Sequence, residues 1–371
     1  MKTRVLIAPD KFKGTLSARE VAEALGAGLF SMANVTLMPL ADGGDGSIEA
    51  VSAAGFEVVA VDGSIPTLTT PRIARRGEVF FIEAAEFCGL AHVQGPPEPL
   101  TAHTFGVGRA VRVALDLGAR TIVLGVGGTA STDGGVGFLT ALGAKFTTET
   151  GESVALGGGG LSTLFSVDLS GLDPRIAATK LVLASDVDSP LLGRIGAARL
   201  FSPQKGADPL QVEVLELGLN RLVEVLQKGS SLWAGRTRQA LETPGAGAGG
   251  GLGFAALLIG ATRVSGAQYI LDLLDIDRAL SHCDLVITGE GSLDHQSLAG
   301  KLPIVVAQRA RALNVPTIAV VGTCRLSKVE YENAGFAKVF ALDQIDTRCA
   351  VEPELSMQLL TQIGEAISHN L

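Results

Sequence analysis

The stretch RVLIAPDKFKGTLSAREVAEALGAGLF, residues 4–30, runs from an apolar segment through a polar loop into a helix. RVLIA reads as a buried strand and PDKFKGT as the loop that leaves it. Ser17 is a natural N-cap, because its hydroxyl can accept from an N–H of the first helical turn, and Glu20 completes the capping-box pattern. Val21, Leu25 and Leu29, with Ala22 and Ala24, supply the apolar stripe. VTLMPL follows as a second strand, ADGGDGSIEAVSAAG as loop then helix, and FEVVAV as a third strand. This β-α-β-α-β order predicts a parallel sheet covered by helices.

The same grammar returns at the other end of the chain. DLVITG is a strand, EGSLDHQSLAGKLP a loop and IVVAQRARAL a helix. TIAVVG is the next strand, followed by the loop TCRLS and a helix-like stretch; KVFAL is another strand and PELSMQLLTQIGEAISHNL a closing helix. The middle is less regular. TTPRIARRGEVFFIEAAEF holds closely spaced strand-like runs, TFGVGRAVRVALDLGA and QVEVLELGLNRLVEVLQKG are helical, and TIVLGV and KLVLAS are strands. Residues 151–160 are polar and glycine-rich, as an exposed loop would be. The expected fold class is α/β with two α/β domains. Residues 1–65 and 275–371 make a Rossmann-like parallel-sheet domain, and 66–274 a second α/β domain inserted in it. Ligand is expected in a cleft between them, since domain junctions often bind small molecules. Two consecutive domains split near residue 180 are the alternative.

Bulk properties narrow the function. Hydrophobic residues make up 47% and charged residues 18% of the chain, a globular balance rather than a disordered one. The net charge is −8 and no block of Lys and Arg occurs, which argues against a nucleic-acid surface. Cys88, Cys283, Cys324 and Cys349 form no C-x-x-C pair, so neither a zinc site nor a disulfide framework is indicated and a reducing cytoplasm fits. The opening MKTRVLIAPDKF does not read as a signal peptide, and no apolar run reads as long enough to span a membrane. Glycine accounts for 47 of the 371 residues, against about 7% on average. The glycines cluster in loops, where backbone can approach a ligand or simply turn.

Five polar loops follow predicted strands, at 9–15, 41–47, 127–137, 185–190 and 289–297. Ligands bind beyond the carboxyl ends of strands in open parallel sheets, so these loops are candidates for chemistry. In GVGGTASTDGGVGF, residues 125–138, successive glycine N–H groups can form an anion nest ahead of a helix N-terminus. Gly127, Gly128 and Gly134 supply backbone there, and Thr129 and Ser131 can donate to phosphate. Asp133 either faces a metal or caps the next helix. The spacing is neither Walker A nor G-x-G-x-x-G. GAGAGGGLG, residues 245–253, does match G-x-G-x-x-G, but a polar helix-like run ending in proline precedes it where the dinucleotide fingerprint needs a buried strand. Close backbone approach, or a hinge, reads better.

The remaining loops carry carboxylates and lysines. Asp42 suits hydroxyl recognition or metal-bound water, or an Asp-Gly turn; Asp45 reads as a cap. Asp186 and Asp188 stand two apart after KLVLAS, so one can accept a proton from an attacking hydroxyl or hold magnesium, while an Asx turn accounts for the other. Glu290 and Asp294 would repel phosphates unless they hold a divalent cation or a ribose, and capping also explains Asp294. His295 is a base or a solvated side chain. Lys11, Lys13 and Lys205 can neutralise phosphate or carboxylate as point charges.

Six of these stretches, in order, carry a likeness. IAPDKFKGTLSA, PLADGGDGS, GVGGTASTDGG, LASDVDSPLLG, FSPQKGA and TGEGSLDHQSLAGKLP resemble the type 1 glycerate kinase family, from residue 5 to about residue 325. The resemblance implies ATP-dependent phosphorylation of D-glycerate with Mg²⁺, and two α/β domains, one inserted in the other. Many members resemble the 2-kinases that give 2-phosphoglycerate; others are described as 3-kinases. Loops and likeness together give an expected site. Residues Gly127, Gly128, Thr129, Ser131 and Gly134 hold ATP phosphates, with Glu290 assisting through Mg²⁺ or ribose. Asp133 and Asp294 stand on the metal side. Asp42, Lys13 and Asp188 bind substrate. Asp186 is the general base and Lys11 neutralises charge in transfer. A nicotinamide-dependent oxidoreductase built on GAGAGGGLG and a non-catalytic sugar-acid or nucleotide sensor are the rival classes.

Overall fold

The computed structural model describes residues 2–61, 70–93, 95–369 and 371. They fall into two units. Unit 1 comprises Met1–Asp42, Glu49–Ala54 and Ala267–Leu371; unit 2 comprises Gly43–Ile48 and Gly55–Gly266. The boundary expected at residues 65 and 66 lies outside the described residues. The strands of the two main sheets are, in chain order, β1 (Arg4–Ile7), β2 (Asn34–Leu37), β3 (Glu57–Ala60), β4 (Arg72–Arg76), β5 (Val79–Glu83), β6 (Thr121–Gly125), β7 (Lys180–Ala184), β8 (Thr262–Val264), β9 (Leu285–Thr288), β10 (Thr317–Val321) and β11 (Lys338–Ala341).

Unit 1 is a wholly parallel sheet of order β11-β10-β9-β1-β2. Val5 sits opposite Leu285 on one side and Val35 on the other. All four residues of β9 are buried, the mark of a strand covered on both faces. Helix Ala18–Leu29 starts at Ser17, whose hydroxyl accepts from Glu20 N–H while the Glu20 carboxylate accepts from Ser17 N–H at 2.8 Å. It packs on the closing helix Pro353–Ser368. A Cβ on Gly28 would come within 2.3 Å of Thr361 O, so only glycine lets the two backbones approach this closely.

Unit 2 holds a mixed sheet of order β8-β7-β6-β5-β4-β3. β5 to β8 are parallel, and β3 and β4 run antiparallel at the edge. Phe80, Phe138 and Phe254 lie in its core, together with the face of helix Pro209–Gln227 that carries Leu215, Leu219 and Leu222. FEVVAV therefore differs from expectation. It is not a third parallel strand beside β1 and β2, but the antiparallel edge of the second sheet, with Val59 opposite Ile73. Its side chains are largely exposed, which suits an edge and not the interior of a parallel sheet. Residues 151–160 differ in part: 151–153, 155 and 156 are exposed as expected, but Gly157 and Gly158 are buried, and a Cβ on Gly158 would lie 2.2 Å from Thr132 O. Among the described residues no helix is long and apolar enough to cross a membrane.

Candidate active site

In unit 1 the acidic groups gather where three neighbouring strands end. The order β9-β1-β2 sets Glu290, Asp10 and Asp42 on adjacent exits at the carboxyl edge of the sheet. Backbone bonds tie these exits together: Asp10 N–H donates to Gly289 O at 2.8 Å and Leu40 N–H to Pro9 O at 2.9 Å. Asp10 Oδ1 accepts from Lys11 N–H at 2.7 Å. Burial, followed by the charge of Asp42, pushes the Asp10 carboxyl well above the usual carboxylate range; Lys11 opposes the rise and Glu290 adds to it. Sequence reasoning passed over Asp10, although its position directly after β1 matches those of Asp42 and Glu290. Lys11 and Lys13 flank the buried Phe12, which exchanges backbone hydrogen bonds with Leu16 at 2.8 and 3.0 Å and so pins the loop. Lys13 is exposed and Lys11 half-buried.

Glu290 is buried. Its Oε2 lies 3.5 Å from Lys301 Nζ, and its Oε1 has no hydrogen-bond partner among the described residues. Burial raises its pKa, against the pull of Ser297 and Lys301. Asp294 Oδ1 accepts from Gln296 N–H at 2.9 Å and from Ser297 N–H at 3.2 Å, the geometry of a local cap. His295 is exposed against Glu330, with Nε2 3.0 Å from Oε1. Among the described residues no group of three or more His, Cys, Asp or Glu converges to hold a metal ion.

In unit 2 the glycine-rich loop leaves β6 and enters helix Val136–Ala141. It has two halves. In the second, Asp133 is fully buried. Its Oδ2 accepts from Thr104 N–H at 2.9 Å, Thr104 Oγ1 at 2.8 Å and Gly137 N–H at 3.1 Å; its Oδ1 accepts from Gly135 N–H at 3.0 Å. Four donors occupy the carboxylate, which is what a cap requires and leaves little for a metal. Gly134 N–H donates to Gly250 O at 3.0 Å, and a Cβ there would strike Leu222. In the first half, no hydrogen bond among the described residues engages the N–H of Gly127, Gly128 or Thr129. Thr129 and Ser131 are buried in the same turn.

Other glycine segments close on this loop. A Cβ on Gly127 would lie 2.7 Å from Gly44 Cα. One on Gly250 would lie 2.0 Å from Ser131 O, and one on Gly251 would lie 2.6 Å from Gly134 Cα. GAGAGGGLG thus serves backbone approach. Helix Ser231–Glu242 precedes it, not a strand, so the dinucleotide context is missing. Lys205, buried at 4% exposure, lies beneath the turn, with Nζ 2.5 Å from Ser131 O and 3.5 Å from Thr129 Oγ1. Burial brings its pKa down to about 8, with Cys88 and Asp133 opposing the fall. Burial likewise pushes the Cys88 thiol up to about 12, so it stays protonated.

Asp186 and Asp188 leave β7 on the same sheet. Asp186 Oδ1 accepts from Ser265 Oγ at 2.7 Å and from Gly266 N–H at 3.0 Å. Asp188 is exposed and pairs with Arg263. One carboxylate is thus oriented by neutral donors and the other is neutralised by a guanidinium.

The Glycerate kinase family model matches residues 5–371. The chain is 39% identical over 330 residues to the glycerate 2-kinase of Escherichia coli (strain K12), covering 86% of this chain and 85% of that protein. It is 37% identical over 350 residues to the glycerate kinase of Bacillus subtilis (strain 168), covering 91% and 90%. Its structure resembles the crystal structure of a protein named as a glycerate kinase 2 from Salmonella typhimurium LT2. The TM-score is 0.78 at 34% identity, over 99% of this chain and 98% of that one.

Proposed function

The chain belongs to the glycerate kinase family, whose members are phosphotransferases, and from that premise we propose that it moves the γ-phosphoryl group of ATP to the 2-hydroxyl of D-glycerate. The observation that carries the reading is the row of N–H groups on Gly127, Gly128 and Thr129 at the end of β6, which no acceptor among the described residues engages. Backbone N–H groups aimed together from a strand end suit phosphate oxygens. The hydroxyls of Thr129 and Ser131 add donors. Gly134 and Asp133 shape the loop rather than touch ligand.

Glu290 fits a Mg²⁺ role, because its buried Oε1 lacks a partner and a hard oxygen donor is what the ion takes. Mg²⁺ usually binds through one or two carboxylates together with substrate phosphates, so the lack of a protein-only cage is no conflict. When bound, the ion neutralises charge on the phosphates. Asp42 receives a glycerate hydroxyl, and Lys11 and Lys13 receive anionic oxygen. Asp186 takes the proton of the attacking hydroxyl, oriented for that by Ser265 and Gly266. The test is incubation with Mg-ATP and D-glycerate, followed by ³¹P NMR. A secondary ester gives a doublet and marks the 2-product; a triplet marks the primary ester and assigns the 3-hydroxyl instead. No phosphoglycerate of either kind sinks the reading.

A further inference from the structure

Lys205 is a buried ammonium to which the phosphotransfer reading gives no role. It belongs to the short 3₁₀ turn Pro203–Lys205, and Gly206 ends that turn in the left-handed region. Among the described residues it makes no ion pair. The titratable groups that face it are Cys88, from helix Ala85–Cys88, and Asp133, at the entry to helix Val136–Ala141. Cys88 stays neutral, and Asp133 already holds four donors. Asp133 therefore acts on Lys205 through space while both its oxygens are taken by other donors, and among the described residues the ammonium has no anion in direct contact, a costly arrangement for a buried charge.

The contacts of Lys205 indicate where such an anion binds. Its Nζ donates to Ser131 O, which fixes the peptide at the middle of the turn. It also faces Thr129 Oγ1 as a donor. A hydroxyl that accepts from an ammonium turns its single proton elsewhere, and for Thr129 this leaves a donor for a ligand oxygen. Among the described residues no acceptor engages the N–H groups of Gly127, Gly128 and Thr129 on the same turn, and Thr132 Oγ1 is buried without a partner there. Donors, an oriented hydroxyl and a nearby positive charge all ask for one anion.

We propose that Lys205 is a positioning residue for the nucleotide phosphates, holding the 127–131 turn through Thr129 and Ser131 and taking its countercharge from the bound phosphates. The proposal rests on the reading that those phosphates bind this turn. It has a thermodynamic consequence. An anion arriving beside the ammonium stabilises its charged form, so nucleotide binding near pH 8 takes up protons.

The test is calorimetric titration of the full chain with ADP at saturating Mg²⁺, where the diphosphate itself does not titrate. It is run near pH 8 in buffers of different ionisation enthalpy. Wild type is expected to take up about half a proton per nucleotide there, and almost none near about pH 6.5, where Lys205 is already charged. In K205M the uptake disappears and the nucleotide Kd rises at least about tenfold, while the KM for D-glycerate holds. K205R keeps a charge that cannot leave, so it binds nucleotide better than K205M and shows no uptake. Wild type without uptake overturns the proposal, whatever the variants do, and so does uptake that accompanies D-glycerate instead. K205M with wild-type uptake and Kd overturns it as well. Proton-linked ADP binding in a protein that makes no phosphoglycerate would sink the functional reading and leave Lys205 assigned; phosphoglycerate without the uptake does the reverse.

Discussion

Replacing Asp133 with Asn separates a cap from a metal ligand. The carboxylate receives four donors, three on Oδ2 and one on Oδ1, and no solvent reaches it. Asn offers one oxygen. If that oxygen keeps Thr104 and Gly137, the amide NH₂ turns toward Gly135 N–H and sets donor against donor. An unsatisfied buried donor costs about 1–3 kcal/mol, and three charge-assisted bonds become neutral ones at about 1 kcal/mol each. Burying a neutral amide returns part of the desolvation cost, so the net loss is about 3 kcal/mol. For a unit of this size that lowers Tm by about 6–12 °C. The assay is intrinsic fluorescence: Trp233 is the one tryptophan in the chain and belongs to unit 2, so it reports unfolding of the unit that holds Asp133. Thr104→Ala gives the second arm, because Thr104 Oγ1 donates to Asp133 and accepts from Phe138 N–H at 2.9 Å. The double mutant should lose less than the sum of the singles by about 1–2 kcal/mol. A D133N protein that melts with wild type but needs far more Mg²⁺ for activity would refute the cap and restore the metal.

Asp186→Asn should lower kcat by about 10²- to 10⁴-fold with little change in Tm, and Asp188→Asn much less; the opposite order in steady-state kinetics moves the base to Asp188. Gly250→Ala puts a Cβ 2.0 Å from Ser131 O at a positive φ of 69°, so it must displace the turn. A loss of about 2–4 kcal/mol and a KM for ATP raised about tenfold are expected, and an unchanged KM would remove the turn from the nucleotide site. In the nucleotide-free protein, Lys205 has a folded pKa of about 8 against 10.5 for an ordinary lysine. Between those values the unfolded chain binds more protons. The contribution of this group to stability therefore rises with pH across that window, by up to about 3 kcal/mol, and is at its least favourable below pH 8. Urea titrations of wild type minus K205M at several pH values read the term, and a difference that is flat or falls with pH contradicts it.

What the sequence made legible follows the range of the interactions. The helix at Ala18–Leu29 was readable because Ser17 and Glu20, three apart, settle its start between themselves. The strands of unit 1 were readable because runs such as LVI, residues 285–287, are continuously apolar, as strands covered on both faces are. FEVVAV was misread as to its sheet, since β3 is placed by pairing with β4 and not by its own four residues. Asp133 stayed divided between cap and metal because Thr104, which supplies two of its four donors, lies 29 positions earlier. Lys205 was visible as a lysine in a glycine-containing motif, but its contact with Ser131 spans 74 positions. Asp10 was missed because a single Asp after a strand carries no signal until two neighbouring strand exits also carry carboxylates.

The glycines of GVGGTASTDGGVGF divide the same way, and the division limits what a glycine-rich loop can say about a ligand. Gly134 and Gly135 have positive φ, and Cβ atoms on them would strike Leu222 and Ala255. Gly137 must be glycine because a Cβ would fall 2.6 Å from Phe105 N, across the bridge from Asp133 to Thr104. Gly125 and Gly127 face the backbone of Gly43 and Gly44. Each of these needs is met by protein against protein, so the excess of glycine would persist if the chain bound nothing. Only the hydrogen-bond ledger distinguishes the halves of the loop. Gly134, Gly135 and Gly137 donate their N–H groups to Gly250 and Asp133, whereas those of Gly127, Gly128 and Thr129 find no acceptor among the described residues. The nucleotide reading thus rests on unspent donors above a buried lysine. A substitution that removes glycine tests the packing, whereas one that removes the lysine charge tests the ligand.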